Sequence, residues 1–112
     1  MTKQQKERNY WAFPGMTKPK TSKDIIIDSV CNRLGVTKDE IMSRRRFKHI
    51  VEARQIAMYV IHKRISCTLD EIGRVFNGLD HSTVLYSIKT VSNFIEMKDR
   101  VGLVANELVR DI

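Results

Sequence analysis

Four consecutive polar residues, Asp80 to Thr83, carry the side chains of this sequence that are best suited to chemistry. Adjacent residues of a helix point about 100° apart, so Asp80, His81 and Ser82 cannot converge as a catalytic triad does. Their side chains are instead short to medium in length and rich in hydrogen-bond donors and acceptors. We therefore expect no catalytic residue here and consider these four as a set that can contact base edges.

Two capped helices joined by a tight turn would position the four residues. Thr68 and Glu71 have the spacing of a capping box at the start of the first helix. Asn77-Gly78 ends that helix, because glycine accepts the left-handed conformation that a helix end needs, and Asp80 caps the second helix. The predicted buried stripe of the second helix is Val84, Leu85, Ile88 and Val91.

This pattern is typical of a helix-turn-helix, which places the first residues of its second helix against base edges in the major groove. The alternative is an ordinary capped helix pair whose first turn is simply solvated, since such pairs are common and most bind no DNA. The residues of this stretch alone leave the two readings evenly balanced.

The remainder of the chain is also predicted to be helical. A first helix should run from Ser22 to Leu34, a short one from Lys38 to Met42 and a long one from about Phe47 to Arg64. The second helix of the motif extends to about Lys98, and a last helix follows, with Gly102 weakening its first turn. No strand-like alternation is present. The expected core face of the first helix is Ile25, Ile26, Ser29, Val30 and Leu34.

Charge favours an acidic partner. Lys and Arg number 20 against 13 Asp and Glu, which gives a net charge of +7, and nucleic acid is the commonest acidic partner of so basic a domain. The densest positive run of the folded part is Ser43-Arg44-Arg45-Arg46-Phe47-Lys48, whose arginines suit phosphate contacts and narrow minor grooves. A solvated loop is the alternative for this run. Arg54, on the long helix, is expected to pair with a carboxylate or a phosphate.

Residues 1–21 are predicted to form a basic, flexible N-terminal tail. Pro14-Gly15 and Pro19 interrupt any helix, and no apolar periodicity is present. Tyr10, Trp11 and Phe13 are unusual in such a segment. They could dock on the domain, stack on a base or bind a partner, and docking on the chain's own surface is the reading we favour.

Several classes of protein are not expected. The N-terminus lacks the apolar region of a secretory signal, and no run approaches the roughly 18 apolar residues of a membrane span. We therefore expect a cytoplasmic protein with reduced Cys31 and Cys67. No Gly-rich phosphate loop ends in Lys-Ser or Lys-Thr, and no His or Cys lies at metal spacing. We expect no nucleotide, metal or cofactor, and no enzyme activity.

Four motifs in order resemble a known family. From about Ser22 to Leu108 the chain is similar to the C-terminal DNA-binding domain of the bacterial replication initiator DnaA. The matching motifs are Ser43-Arg44-Arg45-Arg46, Ala53-Arg54-Gln55-Ile56-Ala57-Met58-Tyr59, Leu69-Asp70-Glu71-Ile72-Gly73 and Asp80-His81-Ser82-Thr83-Val84-Leu85. The resemblance implies an all-α, Trp-repressor-like domain over residues 22–112 that binds double-stranded DNA sequence-specifically at a DnaA box.

The resemblance also implies roles for individual residues. It assigns base contacts in the major groove to Asp80, His81, Ser82 and Thr83, and the minor groove to Arg46. Leu69 and Asp70 match positions that lie close to DNA. The residues expected to contact or neighbour phosphates are Arg44, Arg45, Arg54 and Lys89.

Three departures from the family pattern affect the expected DNA site. Ser82 stands where threonine is usual, Leu79 where an arginine precedes the Asp-His pair, and Asp70 where proline is usual. A full initiator also carries an ATPase module, for which this chain has no room. We expect a stand-alone binder of DnaA-like sites that competes with a full-length initiator, regulates replication, or serves a phage or mobile element. The alternative is a protein-interaction adaptor or small transcription regulator that has altered or lost DnaA-box recognition.

Overall fold

A computed structural model of the chain describes residues 21–112. These residues form six α-helices and no strand, so the predicted all-α class is confirmed for this part of the chain. The helices are α1 (Ser22–Leu34), α2 (Lys38–Met42), α3 (Lys48–Arg64), α4 (Leu69–Val75), α5 (His81–Glu96) and α6 (Arg100–Asp111). The predicted tail, with its three aromatic residues, lies outside the described residues apart from Thr21.

Capping boxes begin three of the helices. In each one the threonine hydroxyl accepts a hydrogen bond from the backbone N–H three residues on, and that residue's carboxylate accepts one from the threonine N–H. These backbone hydrogen bonds lower the pKa of all three carboxyl groups. The pairs are Thr21 with Asp24, Thr37 with Glu40 and Thr68 with Glu71. The sequence predicted the last pair, and the first pair differs from the other two in having Asp in place of Glu.

Helix α3 is the centre of the domain and contacts each of the other five helices described here. One broad face of it is apolar and buried, since Ala53, Ala57, Val60 and Ile61 are inaccessible to solvent. The burial extends to Met58 and Tyr59 beside that face. A helix that is apolar over so wide an arc must be covered on several sides, and that requirement places α3 in the middle.

Two predicted core faces were wrong in detail. In α1, Ile25 is 50% exposed while Ile27 is fully buried, because three consecutive isoleucines leave the rotation of the helix undetermined until it packs on α3. In α5, Leu85 is 39% exposed and Ser87 takes the buried position. The Ser87 hydroxyl donates to the carbonyl of Thr83 at 3.0 Å, which satisfies it where it packs.

Helices α5 and α6 approach each other closely at Gly102. A Cβ atom added there would lie 2.5 Å from the backbone of Phe94 and of Ile95, closer than real Cβ contacts. The sequence predicted that this glycine weakens the first turn of α6. The structure adds the reason for its presence, because only a residue without a side chain fits between the two backbones.

No helix within residues 21–112 has the length and apolarity that crossing a membrane requires.

We expect Gly102→Ala to lower the free energy of unfolding by about 2 kcal/mol or more, since the two backbones must separate to admit the methyl group. The matched control is Gly35→Ala, because Gly35 has a φ of 71° but open space around its Cβ position. Its cost should be about 1 kcal/mol of backbone strain. Urea denaturation of both variants tests this, and a smaller loss for Gly102→Ala than for Gly35→Ala would contradict it.

Candidate nucleic-acid interface

The turn between α4 and α5 is closed by hydrogen bonds to one carbonyl. The Gly73 carbonyl accepts from the backbone N–H of Gly78 at 3.0 Å and of Leu79 at 2.9 Å. Asn77 and Gly78 have φ angles of 64° and 78°, so the predicted break is confirmed. A Cβ on Gly73 would lie 2.1 Å from the Leu79 carbonyl oxygen, so the turn needs glycine inside α4 as well. The sequence analysis missed this requirement, although a glycine within a helical pattern was its signal.

The predicted base-contacting residues begin α5. Asp80 is the N-cap, and its Oδ2 atom accepts from the Ser82 backbone N–H at 3.0 Å. That hydrogen bond lowers the pKa of Asp80, so the cap is a carboxylate near neutral pH. His81, Ser82 and Thr83 are exposed on the first turn. The cap therefore occupies one carboxylate oxygen of Asp80 and leaves three exposed side chains for a ligand.

Asp70 comes to lie beside His81. Its Oδ1 atom is 3.7 Å from His81 Nδ1, and Oδ1 of Asp80 is 3.8 Å from the same nitrogen. The fold therefore places the Asp70 carboxylate beside the imidazole of His81. Leu69, the preceding residue, is half-buried and packs against the core.

The positive run forms a loop, residues 43–47, which we call the basic loop. Arg54 of α3 donates from Nε to the carbonyl of Ile41 at 2.9 Å, and from Nη2 to those of Ser43 at 2.7 Å and Arg45 at 3.1 Å. Burial, and then the charge of Arg44, lower the pKa of Arg54. The partners that the structure shows for Arg54 are thus backbone carbonyls, which the end of α2 and the basic loop supply, and not the expected carboxylate; the expected phosphate stays a prediction.

A second arginine connects the basic loop to the turn. Nη2 of Arg44 donates to the Asn77 carbonyl at 3.0 Å. Arg45 and Arg46 are exposed, as is Lys89 further along α5. The structure therefore ties Arg44 and Arg54 to backbone carbonyls, while Arg45, Arg46 and Lys89 extend into solvent.

One cleft joins the basic loop to α5. It has a volume of about 520 Å³, and both Arg46 of the basic loop and Thr83 of α5 line it. Tyr86, one turn beyond Thr83 and 67% exposed, lines it as well. The sequence analysis did not single out Tyr86, although its spacing of three residues from Thr83 places both on one face of α5. Arginines and hydroxyl groups on one face could hold phosphates and base edges together.

Other chemistry is not evident in the described part of the chain. Residues 21–112 contain no group of three or more His, Cys, Asp or Glu side chains placed to hold a metal ion. Cys31 and Cys67 are not joined in a disulfide, and burial raises the pKa of both thiols. A raised thiol pKa reduces the thiolate fraction, so neither cysteine has the activation that a nucleophile needs.

Known proteins are similar to this chain over the same region. The family described as "Bacterial dnaA protein helix-turn-helix" matches residues 23–91. The chromosomal replication initiator protein DnaA of Thermodesulfovibrio yellowstonii is 33% identical over 100 residues, which cover 89% of this chain and 23% of that protein. The protein of the same name from a Synechococcus species is 42% identical over 69 residues, covering 62% of this chain and 15% of the relative. The chain thus spans less than a quarter of the length of these relatives.

We expect Arg54→Ala to loosen the basic loop, because carbonyls at three positions lose a charged donor. Stability should fall by about 1–3 kcal/mol, and affinity for duplex DNA should fall with it. Arg64→Ala is the matched control, since Arg64 also donates to two backbone carbonyls, at the other end of α3. Thermal melting and fluorescence-anisotropy binding should show destabilisation in both variants but weakened binding only for Arg54→Ala. Equal binding losses would contradict a positioning role for Arg54.

Proposed function

The chain belongs to the family of bacterial DnaA helix-turn-helix domains, and from this premise we propose that it recognises a specific duplex DNA site, similar to a DnaA box, through the first turn of α5. The observation that carries the proposal is the cleft shared by Arg46 of the basic loop and Thr83 of α5. Membership of the family supports DNA binding as such. The cleft supports a division between residues that hold the backbone and residues that contact bases.

Base contacts belong to His81, Ser82 and Thr83 in this proposal. All three are exposed where the axis of α5 begins, and a helix of this motif enters the major groove at that end. Imidazole and hydroxyl groups can donate or accept, so they can match the donor and acceptor pattern of base edges. Asp80 contributes chiefly by capping the helix, because Oδ2 is engaged by the Ser82 N–H.

Backbone contacts belong to the exposed cations. Arg45 is placed to neutralise a phosphate, and Arg46 to enter the minor groove, where A·T-rich narrowing deepens the negative potential. Lys89 extends the positive surface along α5. Arg44 and Arg54 act indirectly, since their hydrogen bonds to carbonyls fix where the basic loop lies relative to α5. The six basic residues among positions 1–23 would add sequence-independent attraction to DNA.

The names of the relatives support chromosome replication as the biological setting. They are named chromosomal replication initiators, and this chain covers only their helix-turn-helix region and its surroundings. We propose that it binds sites that such an initiator also binds and so affects replication by competition. Selecting bound duplexes from a random pool would test the site directly, and a pool that remains random after repeated selection would argue against sequence recognition.

Replacing the exposed side chains on the first turn of α5 should remove sequence preference. His81→Ala or Thr83→Ala should cost roughly 1–3 kcal/mol on the selected duplex and much less on a scrambled one, because base contacts act only on the right sequence. Asn93→Ala, an exposed position three turns along the same helix, is the control. The test is the affinity of each variant for the selected and the scrambled duplex. If the ratio of these two affinities is the same as in the wild type, His81 and Thr83 do not contact bases.

Arg45→Ala should behave differently, because a phosphate contact carries no sequence information by itself. We expect similar losses on the selected and scrambled duplexes, and a slope of log affinity against log salt that is smaller by about one unit. Lys63→Ala removes the same charge at the far end of α3 and should leave the slope unchanged. A salt titration from about 50 to 200 mM distinguishes the two variants. A large change in the specificity ratio for Arg45→Ala would mean that it contacts bases.

A further inference from the structure

Two carboxylates face one nitrogen of the His81 ring. Asp70 Oδ1 lies 3.7 Å from Nδ1, and Asp80 Oδ1 lies 3.8 Å from it. Two carboxylate oxygens nearby are engaged by backbone donors instead of the ring. Oε1 of Glu71 accepts a hydrogen bond from the Thr68 N–H at 2.7 Å, and Oδ2 of Asp80 accepts one from the Ser82 N–H. Asp70 comes from α4 and His81 from α5, so the turn of the motif creates this contact.

The contact biases where a proton sits on the ring. A carboxylate is negatively charged and only accepts hydrogen bonds, so two carboxylates at 3.7 and 3.8 Å from Nδ1 favour the proton on that nitrogen. In a neutral imidazole the other nitrogen is then an acceptor. Carboxylates that contact histidine commonly fix its tautomer and its ring orientation in this way. For His81 the remaining nitrogen is Nε2, at the far side of the ring from Asp70.

We propose that Asp70 is a positioning residue for base recognition. It keeps the proton of the neutral His81 ring on Nδ1, so that Nε2 accepts a hydrogen bond from a base amino group in the major groove. The groups of that class are N6 of adenine and N4 of cytosine. This inference rests on the proposed function, because it needs His81 at a base edge.

The exposure of Asp70 and His81 agrees with a positioning role that takes effect when the protein is bound to DNA. Both side chains are more than half exposed, so water and salt screen their attraction in the free protein. Burial beneath a duplex removes that screening and strengthens the interaction of Asp70 with His81. Asp70 therefore lowers the overall affinity by repelling phosphates and raises the selectivity among bases.

The experiment uses base analogues in the selected duplex at about pH 8, above the range in which histidines usually titrate. One position at a time, adenine is replaced by purine, which lacks the N6 amino group, or by 7-deazaadenine, which lacks the N7 acceptor. Cytosine is replaced by 2-pyrimidinone, which lacks N4. Wild type should lose roughly tenfold in affinity at one position when the amino group is removed. His81→Ala should not show that loss, which identifies the position.

Asp70→Ala should reverse the requirement at the same position. In this variant Asp80 is the one carboxylate left beside Nδ1, so the ring places its proton on Nε2 more often and then donates to an acceptor such as N7. The penalty for removing the amino group should fall to less than about threefold, and at an adenine the penalty for removing N7 should rise. The control is Asp39→Ala, because Asp39 holds the same second position in the capped helix α2 that Asp70 holds in α4. It should keep the wild-type penalties.

Nitrogen-15 NMR of the wild-type chain bound to the selected duplex, at the same pH, gives an independent readout that does not depend on a variant folding. Chemical shifts that place the proton on Nδ1 support the inference, and shifts that place it on Nε2 overturn it. If Asp70→Ala keeps both its preference for the selected duplex and the wild-type analogue penalties, that result also rejects the inference but leaves the proposed function standing. A wild-type chain with no preference for any duplex rejects both together.

Discussion

The guanidinium of Arg54 brings a positive charge into the half-buried space between α3 and the basic loop, where backbone carbonyls at three positions receive its N–H groups. A buried charge is costly unless its donors are satisfied, so the loop must keep the path that supplies those carbonyls. Because α3 is also the helix around which the others pack, Arg54 ties the surface loop to the central helix of the domain. The placement of the exposed arginines follows from this one side chain.

The turn of the helix-turn-helix imposes the second constraint. Its backbone passes so close to Gly73 that no side chain is possible there, and the Gly73 carbonyl closes it. Arg44 then bonds to the Asn77 carbonyl, which joins the turn to the basic loop. The surfaces that the proposal assigns to phosphates and to bases are therefore fixed relative to each other by hydrogen bonds. Preorganised contacts of this kind reduce the entropy lost on binding.

The charge distribution near the start of α5 is mixed. Asp70 and Asp80 bring negative charge close to where a duplex would lie, although the chain as a whole is strongly basic. Asp80 is compensated by the backbone N–H that it caps, and Asp70 by its neighbour His81. Under the proposed function, acids at such a surface would weaken non-specific attraction, so binding would depend more on matched base contacts. That balance suits a protein that must distinguish its site from bulk DNA.

The sequence by itself determined the features that arise from interactions between near neighbours. Capping boxes, the Asn77-Gly78 break and helical periodicity act within a few residues, so the all-α class and most helix bounds were predictable. The choice of a helix-turn-helix over an ordinary helix pair needed the family resemblance as well. The residues of the candidate site came from motifs of the same local kind, joined to a family resemblance. Their roles on DNA remain proposals.

The tertiary structure decided what depends on residues far apart in the chain. The rotation of α1 required contact with α3, since three consecutive isoleucines are equivalent until one side is covered. Arg54 reaches carbonyls up to 13 positions away, and Arg44 reaches a carbonyl 33 positions away, which no periodicity encodes. The approach of Asp70 to His81 depends on how α4 and α5 cross. Such contacts form only when helices pack, because packing brings together groups that the chain alone keeps apart.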